Sequence, residues 1–233
     1  MTRSPLVLEP LFMLGPVPIT RPVVTTWAII AALTFVSLVV KARLSQRPGP
    51  LQSAAEIVVG AIDHQVSEVL QRDAAPYRAL VGTVFLFILV ANWSSLVPGN
   101  EPPTARLETD AALALVVLGS TVWFGIRAQG VRGYLATFAQ PSWAMIPLNL
   151  LEQVTRAFSM IVRLFGNIMS GVFVVGIVVS LAGLLVPIPL MALDLLTGAV
   201  QAYIFAILSC VFIGAAVSGE SGPGRQESKD NAT

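Results

Sequence analysis

Long apolar runs separated by short polar stretches set the pattern of this chain. They cover Val23 to Val40, Ala79 to Val97, Ala111 to Ile126, Ser142 to Val186 and Ile188 to Val217. A helix needs about 20 apolar residues to cross a bilayer, and the third run reaches that length once extended at its ends. The last two exceed it, so they predict strongly tilted or bent helices that meet as a hairpin around Leu184 to Pro189. A rival reading splits the fourth run into two helices near Gly166 to Gly171. The fold class expected is an all-α membrane protein with about five crossing helices.

One segment has a different rhythm. Between the first two runs, Leu51, Ala55, Val58, Ile62, Val66 and Val69 recur at steps of three and four, which makes a single helical stripe. Glu56, Asp63, His64, Ser67 and Glu68 fall on the other side. Residues 51–72 therefore predict an amphipathic helix on the membrane surface. His64, the only histidine, has no companion metal ligand and reads as a solvated side chain. Residues 1–22 are proline-rich without a continuous apolar core, so they predict an extracytoplasmic segment and no cleavable leader. Residues 23–217 form one transmembrane domain. Residues 218–233 are polar and Gly/Ser-rich, and predict a disordered tail.

Composition and charge sharpen this reading. Hydrophobic residues make up 55% of the 233, and charged residues 12%, half the share of an ordinary soluble domain. A net charge of +1 gives no basic surface for nucleic acid. Cys210 lies within an apolar run, where it can form no internal disulfide and reads as a small buried hydrophobe. Lys41, Arg43 and Arg47 follow the first span, and Arg127 and Arg132 follow the third. The loop after the second span holds Glu101, Arg106, Glu108 and Asp110, a net of −2. The positive-inside rule then places the N-terminus outside and the C-terminus in the cytoplasm.

Candidate chemistry lies in the last two runs. From Gly133 to Gly219 only four residues carry charge: Glu152, Arg156, Arg163 and Asp194. Glu152, Arg156, Ser159, Arg163 and Asn167 follow one another at steps of four, three, four and four, which places them on one helical face. A charge at mid-bilayer costs about 2.5–3.5 kcal/mol on insertion scales, so this face must look onto protein or water. Glu152 and Arg156 are spaced to pair with each other. Arg163 has no acidic residue within a turn, and its partner must come from another helix or another chain. Asp194 and Gln201, seven apart, share a sparser face of the last run. Asp194 is either an isolated membrane carboxylate suited to taking and releasing protons or a helix-start charge that complements the dipole.

The run Ser159-Met-Ile-Val-Arg163-Leu-Phe-Gly-Asn167, followed by Gly171, resembles the signature of subunit a of F-type ATP synthases. Asn92 to Gly99, Pro102-Pro-Thr104 with Ala111 to Leu115, and Gln201-Ala-Tyr-Ile-Phe205 are similar to further stretches of that family, in the same order. The resemblance implies that Arg163 is the arginine facing the ion-carrying carboxylates of a rotating c-ring. Asn167 and Gln201 match polar residues near that arginine. Asp194 falls where members often carry a glutamate or histidine lining an ion-access half-channel. Many members have an acid five positions after the asparagine, but this chain has Val172, which shifts the relay toward Asp194, water or Glu152. The departure is compatible with a divergent bacterial variant of sodium type.

The partners so implied are the c-ring of small two-helix subunits, the peripheral-stalk b subunits and the rest of the synthase, in a bacterial inner membrane. No cofactor and no catalytic site are expected. The competing function is a stand-alone secondary transporter with Arg163 for an anionic substrate. That reading calls for polar groups on several spans and usually an internal repeat, neither of which the sequence displays. An intramembrane enzyme would need a paired catalytic set, which is also missing.

Overall fold

The structure is a computed structural model. It describes residues 12–14, 17–44, 49–96, 100, 102–138, 146–183 and 186–218. Six α-helices build it: α1 (Arg21–Ala42), α2 (Pro50–Leu70), α3 (Arg78–Trp93), α4 (Leu107–Phe138), α5 (Ile146–Ala182) and α6 (Ile188–Ser218). All but α2 are long and apolar enough to cross a membrane. Two three-residue strands precede them, β1 (Phe12–Leu14) and β2 (Val17–Ile19), paired antiparallel with Phe12 opposite Ile19. This small hairpin has no counterpart in the sequence reading. Pro98 and Gly99, the hairpin residues Leu184 and Leu185, and the tail at 219–233 lie outside the described residues.

Local chemistry accounts for the helix ends. Pro22 and Pro50 occupy the first turns of α1 and α2, where a missing N–H costs nothing and φ is already suitable. Gln71 closes α2 in the left-handed region at φ 53°. Gly130, at φ 74° and ψ 164°, breaks α4, a conformation that glycine adopts without steric penalty. Beyond the break the ring of Tyr134 folds back against Gly125, whose absent Cβ leaves the room.

α6 is the axis of the bundle. Its membrane window is 56% buried, against 11% for α5 and 6% for α1. One core joins Ile88 and Ala91 of α3, Ala114 and Val117 of α4, Met160 and Leu164 of α5, and Phe205 of α6. A second core sets Val66 and Leu70 of α2 against Ala206, Cys210 and Ile213 of α6. Large apolar residues stand exposed along the outer helices, among them Trp27, Phe35, Leu151, Phe158 and Leu181. Lipid, not water, is the solvent that suits such a surface.

α2 is the amphipathic helix that its stripe predicts, and the end of that stripe meets the bundle: Val66 is 1% exposed and packs on α6, while Val58 nearer its start stays exposed. Several other expectations need correction. α5 runs unbroken through Gly166 and Gly171, so the split-helix reading fails. At 37 residues it is roughly 55 Å long, which calls for the tilt that the run length implied. Ser218 belongs to α6 and not to the tail. Asp110, counted above as a loop charge, lies in the first turn of α4 and is fully buried. Arg127 and Arg132 likewise fall within α4. His64 is 80% exposed at its side chain, with Nδ1 3.7 Å from Glu68, and Cys210 is buried.

Candidate functional site

The stripe on α5 forms one face, as its spacing requires. Glu152 and Arg156 do pair across one turn, and the Arg156 guanidinium also lies over the Phe212 ring of α6, 5.2 Å from its centre. That position suits a cation–π contact. Glu152, Arg156, Ser159 and Arg163 line one cleft of about 570 Å³, to which α6 contributes Leu208 and Phe212. Arg163 is exposed and has no ion pair among the described residues. Asn167, one turn on, is half-buried; its Nδ2 is sealed from solvent and has no hydrogen-bond partner among the described residues.

α6 meets this face at its other end. Asp194 is the seventh residue of α6, past the first turn, so it does not sit as a charge at the helix start. Its carboxylate abuts the α-carbon of Gly171, and any side chain at 171 would overlap it. Ser95 Oγ donates to Asp194 Oδ2 at 3.4 Å, a long and weak bond. Gln201, two turns on, is buried at 7% exposure.

Two cross-contacts fix the register of α5 on α6. Arg156 meets Phe212 and Gly171 meets Asp194, so the helices run antiparallel. Interpolating along both places Gln201 within a turn of Arg163. Arg163 stands eight residues from Gly171, roughly 12 Å along the helix, and eleven from Glu152, roughly 16 Å. The arginine thus separates two polar levels, Glu152–Arg156 on one side and Asn167–Asp194 on the other.

The end of α3 clamps α6 at the Asp194 level. Asn92 Nδ2 donates to the Gly198 carbonyl at 2.8 Å, and Thr104 Oγ1 donates to Asn92 Oδ1 at 2.7 Å. Trp93 Nε1 donates to the Leu195 carbonyl at 3.3 Å. Gly198 permits the approach, since a Cβ there would stand 3.0 Å from that of Asn92. The sequence reading touched Asn92 and Thr104 only through family likeness, without a role for either. The signal for them was a polar residue closing an apolar run, which also reads as a span end. Asn92→Ala leaves the Thr104 hydroxyl and the Gly198 carbonyl buried without a partner. The expected loss is about 1–2 kcal/mol, read as a lower thermal midpoint of the detergent-purified protein; an unchanged midpoint contradicts the clamp.

Comparison with known proteins places this architecture. Residues 23–214 match the family model described as ATP synthase A chain. The chain is 55% identical to "ATP synthase subunit a 2" of Bradyrhizobium sp., over 93% of this chain and 97% of that protein. It is 42% identical to "ATP synthase subunit a 2" of Pelobacter propionicus, over 97% and 98% of the two chains. It is 41% identical to "ATP synthase subunit a" of Albidiferax ferrireducens, over 88% and 90%. Five apolar helices around a polar face, and a family match spanning nearly all of them, make this chain a member of the ATP synthase A chain family.

Proposed function

We propose that the chain is the ion-conducting stator subunit of an F-type ATP synthase membrane sector, with Arg163 as the fixed charge facing the carboxylates of a rotating c-ring. The observation that carries this reading is Arg163 itself: exposed on α5, without an ion partner among the described residues, and set between two polar levels. A ring carboxylate crossing lipid stays neutral, carrying a proton or a sodium ion. Beside Arg163 the permanent guanidinium charge favours its ionised form and promotes release of the ion. The same charge blocks direct passage between the two levels, so ions travel only by riding the ring.

The path assigned to the ion uses Asn167, Gln201 and Asp194 on one side. Glu152, Arg156 and Ser159 flank the cleft on the other. With the N-terminus outside and the C-terminus in the cytoplasm of a bacterial inner membrane, the Asp194 level opens outward and the Glu152 level inward. Ser159 and Asn167 keep the approaching carboxylate hydrated, which prevents an ion pair too strong to release. Besides the c-ring, the partners are the peripheral-stalk b subunits and the remaining synthase subunits.

The exposed apolar flank of α5, which includes Val154, Phe158 and Val162, is the surface assigned to the ring. A photoactivated crosslinker attached at Val162→Cys is expected to capture a small two-helix subunit, and the detergent-extracted chain to co-purify with a ring of them. Capture of lipid alone, by a chain that purifies by itself, overturns the assignment.

A further inference from the structure

Asp110 has no part in the path just described, yet it is the most enclosed carboxylate among the described residues. It is 0% exposed, and neither Oδ1 nor Oδ2 has a hydrogen-bond partner among the described residues. Glu108, two residues earlier, is exposed. Being in the first turn of α4 does not explain Asp110, because an acid that caps a helix accepts from its free N–H groups and Asp110 accepts from none. An ionised carboxylate sealed from water without a partner costs several kcal/mol. Such a group needs a proton or a cation beside it.

Its position shows where that ion would go. Asp110, Ala114, Val117 and Thr121 are the buried residues of one α4 face, and Ala114 and Val117 share a core with Met160 and Leu164 of α5. The 3₁₀ turn Pro103–Ala105, directly before α4, also packs on α5. α4 and α5 are consecutive spans and run antiparallel. Moving from this shared core toward the start of α4 therefore means moving toward the end of α5, the half that carries Asn167. The Asn167 Nδ2 and the Asp110 carboxylate, both without a hydrogen-bond partner among the described residues, thus lie toward the same end of the bundle as Asn92, Thr104 and Asp194.

We propose that Asp110 is a second ion-relay carboxylate of the outer access path, taking a monovalent cation from the extracytoplasmic side and passing it to the Asn167–Asp194 level. The relay binds and releases the same proton or sodium ion, so its charge is restored in each cycle. This inference rests on the ion-conducting reading above.

The test uses the whole complex reconstituted in liposomes, with ATP-driven uptake followed by a pH-sensitive dye for protons and by radiosodium for sodium. D110N is expected to keep co-purification with the ring and to lower uptake about tenfold or more, in whichever of the two assays the unsubstituted complex is active. Asparagine has nearly the same shape and no charge, so it would satisfy a purely structural site. Uptake at the unsubstituted rate overturns the proposal. An independent readout is D110C in a C210A background: silver ion, a small thiol-reactive monovalent cation, added outside is expected to label it. An assembled, unlabelled D110C overturns the proposal whatever D110N does, and labelling decides the matter if D110N fails to assemble. R163A separates the two ideas. Normal pumping by R163A removes the underlying reading, whereas a silent R163A beside a fully active D110N removes only the relay at Asp110.

Discussion

Replacing Arg163 with alanine is expected to leave the chain inserted and assembled while ATP-driven ion uptake falls to the level of protein-free vesicles. The side chain is exposed and makes no ion pair among the described residues, so its loss uncovers no buried counter-charge and leaves the packing intact. Leu164, the neighbour that is 0% exposed and belongs to the core, is untouched. On the proposed reading, what disappears is the positive charge that ionises the passing carboxylate and bars direct flow between the two polar levels. Without it, a ring carboxylate has no reason to release its ion at that point, and any ion that enters can leak across. Arg163→Lys should recover little, because lysine is a point charge that surrenders its proton when desolvated. Coupled uptake by the assembled alanine variant at the unsubstituted rate would falsify the ion-stator reading.

The second large effect is expected at Asp194. Asparagine matches aspartate in size, and the carboxylate gives up only a 3.4 Å bond from Ser95, so Asp194→Asn should fold and assemble. It cannot carry a proton or hold a cation by charge. Uptake should drop about tenfold or more, equivalent to about 1.4 kcal/mol added to the barrier. Co-purification with the ring should be unchanged. Uptake at the unsubstituted rate would move the outer path away from α6, toward water or another carboxylate.

Most of the architecture was legible because a membrane span announces itself by length. α1, α3, α5 and α6 fall within a few residues of the apolar runs that named them. The α5 stripe was equally visible, since a helix repeats its faces every three or four residues and charges within an apolar run stand out. The Glu152–Arg156 pair followed from spacing alone. Contacts between distant segments were less accessible. The stripe on α2 identified an apolar face, but not that Val66 would bury it against α6. Asp110 was hidden for a different reason: an acid next to the start of an apolar run is indistinguishable from a loop charge until the preceding turn is seen to tuck under α5. Gly171 was quoted only as part of a motif. That it makes room for Asp194, 23 residues away, depends on how α5 and α6 meet.

The contrast between an enclosed α6 and an open α5 bears on how the protein is made. A newly inserted, solitary copy presents the Arg163 guanidinium and the stripe around it to acyl chains, where one arginine costs about 2.5–3.5 kcal/mol. Such a copy is a poor resident of the bilayer and a natural target for membrane proteases. On the proposed reading, its lifetime in the cell then depends on how soon the rotor covers α5. Synthesis without the rotor subunits should yield a short-lived protein even though every one of its own helices is intact.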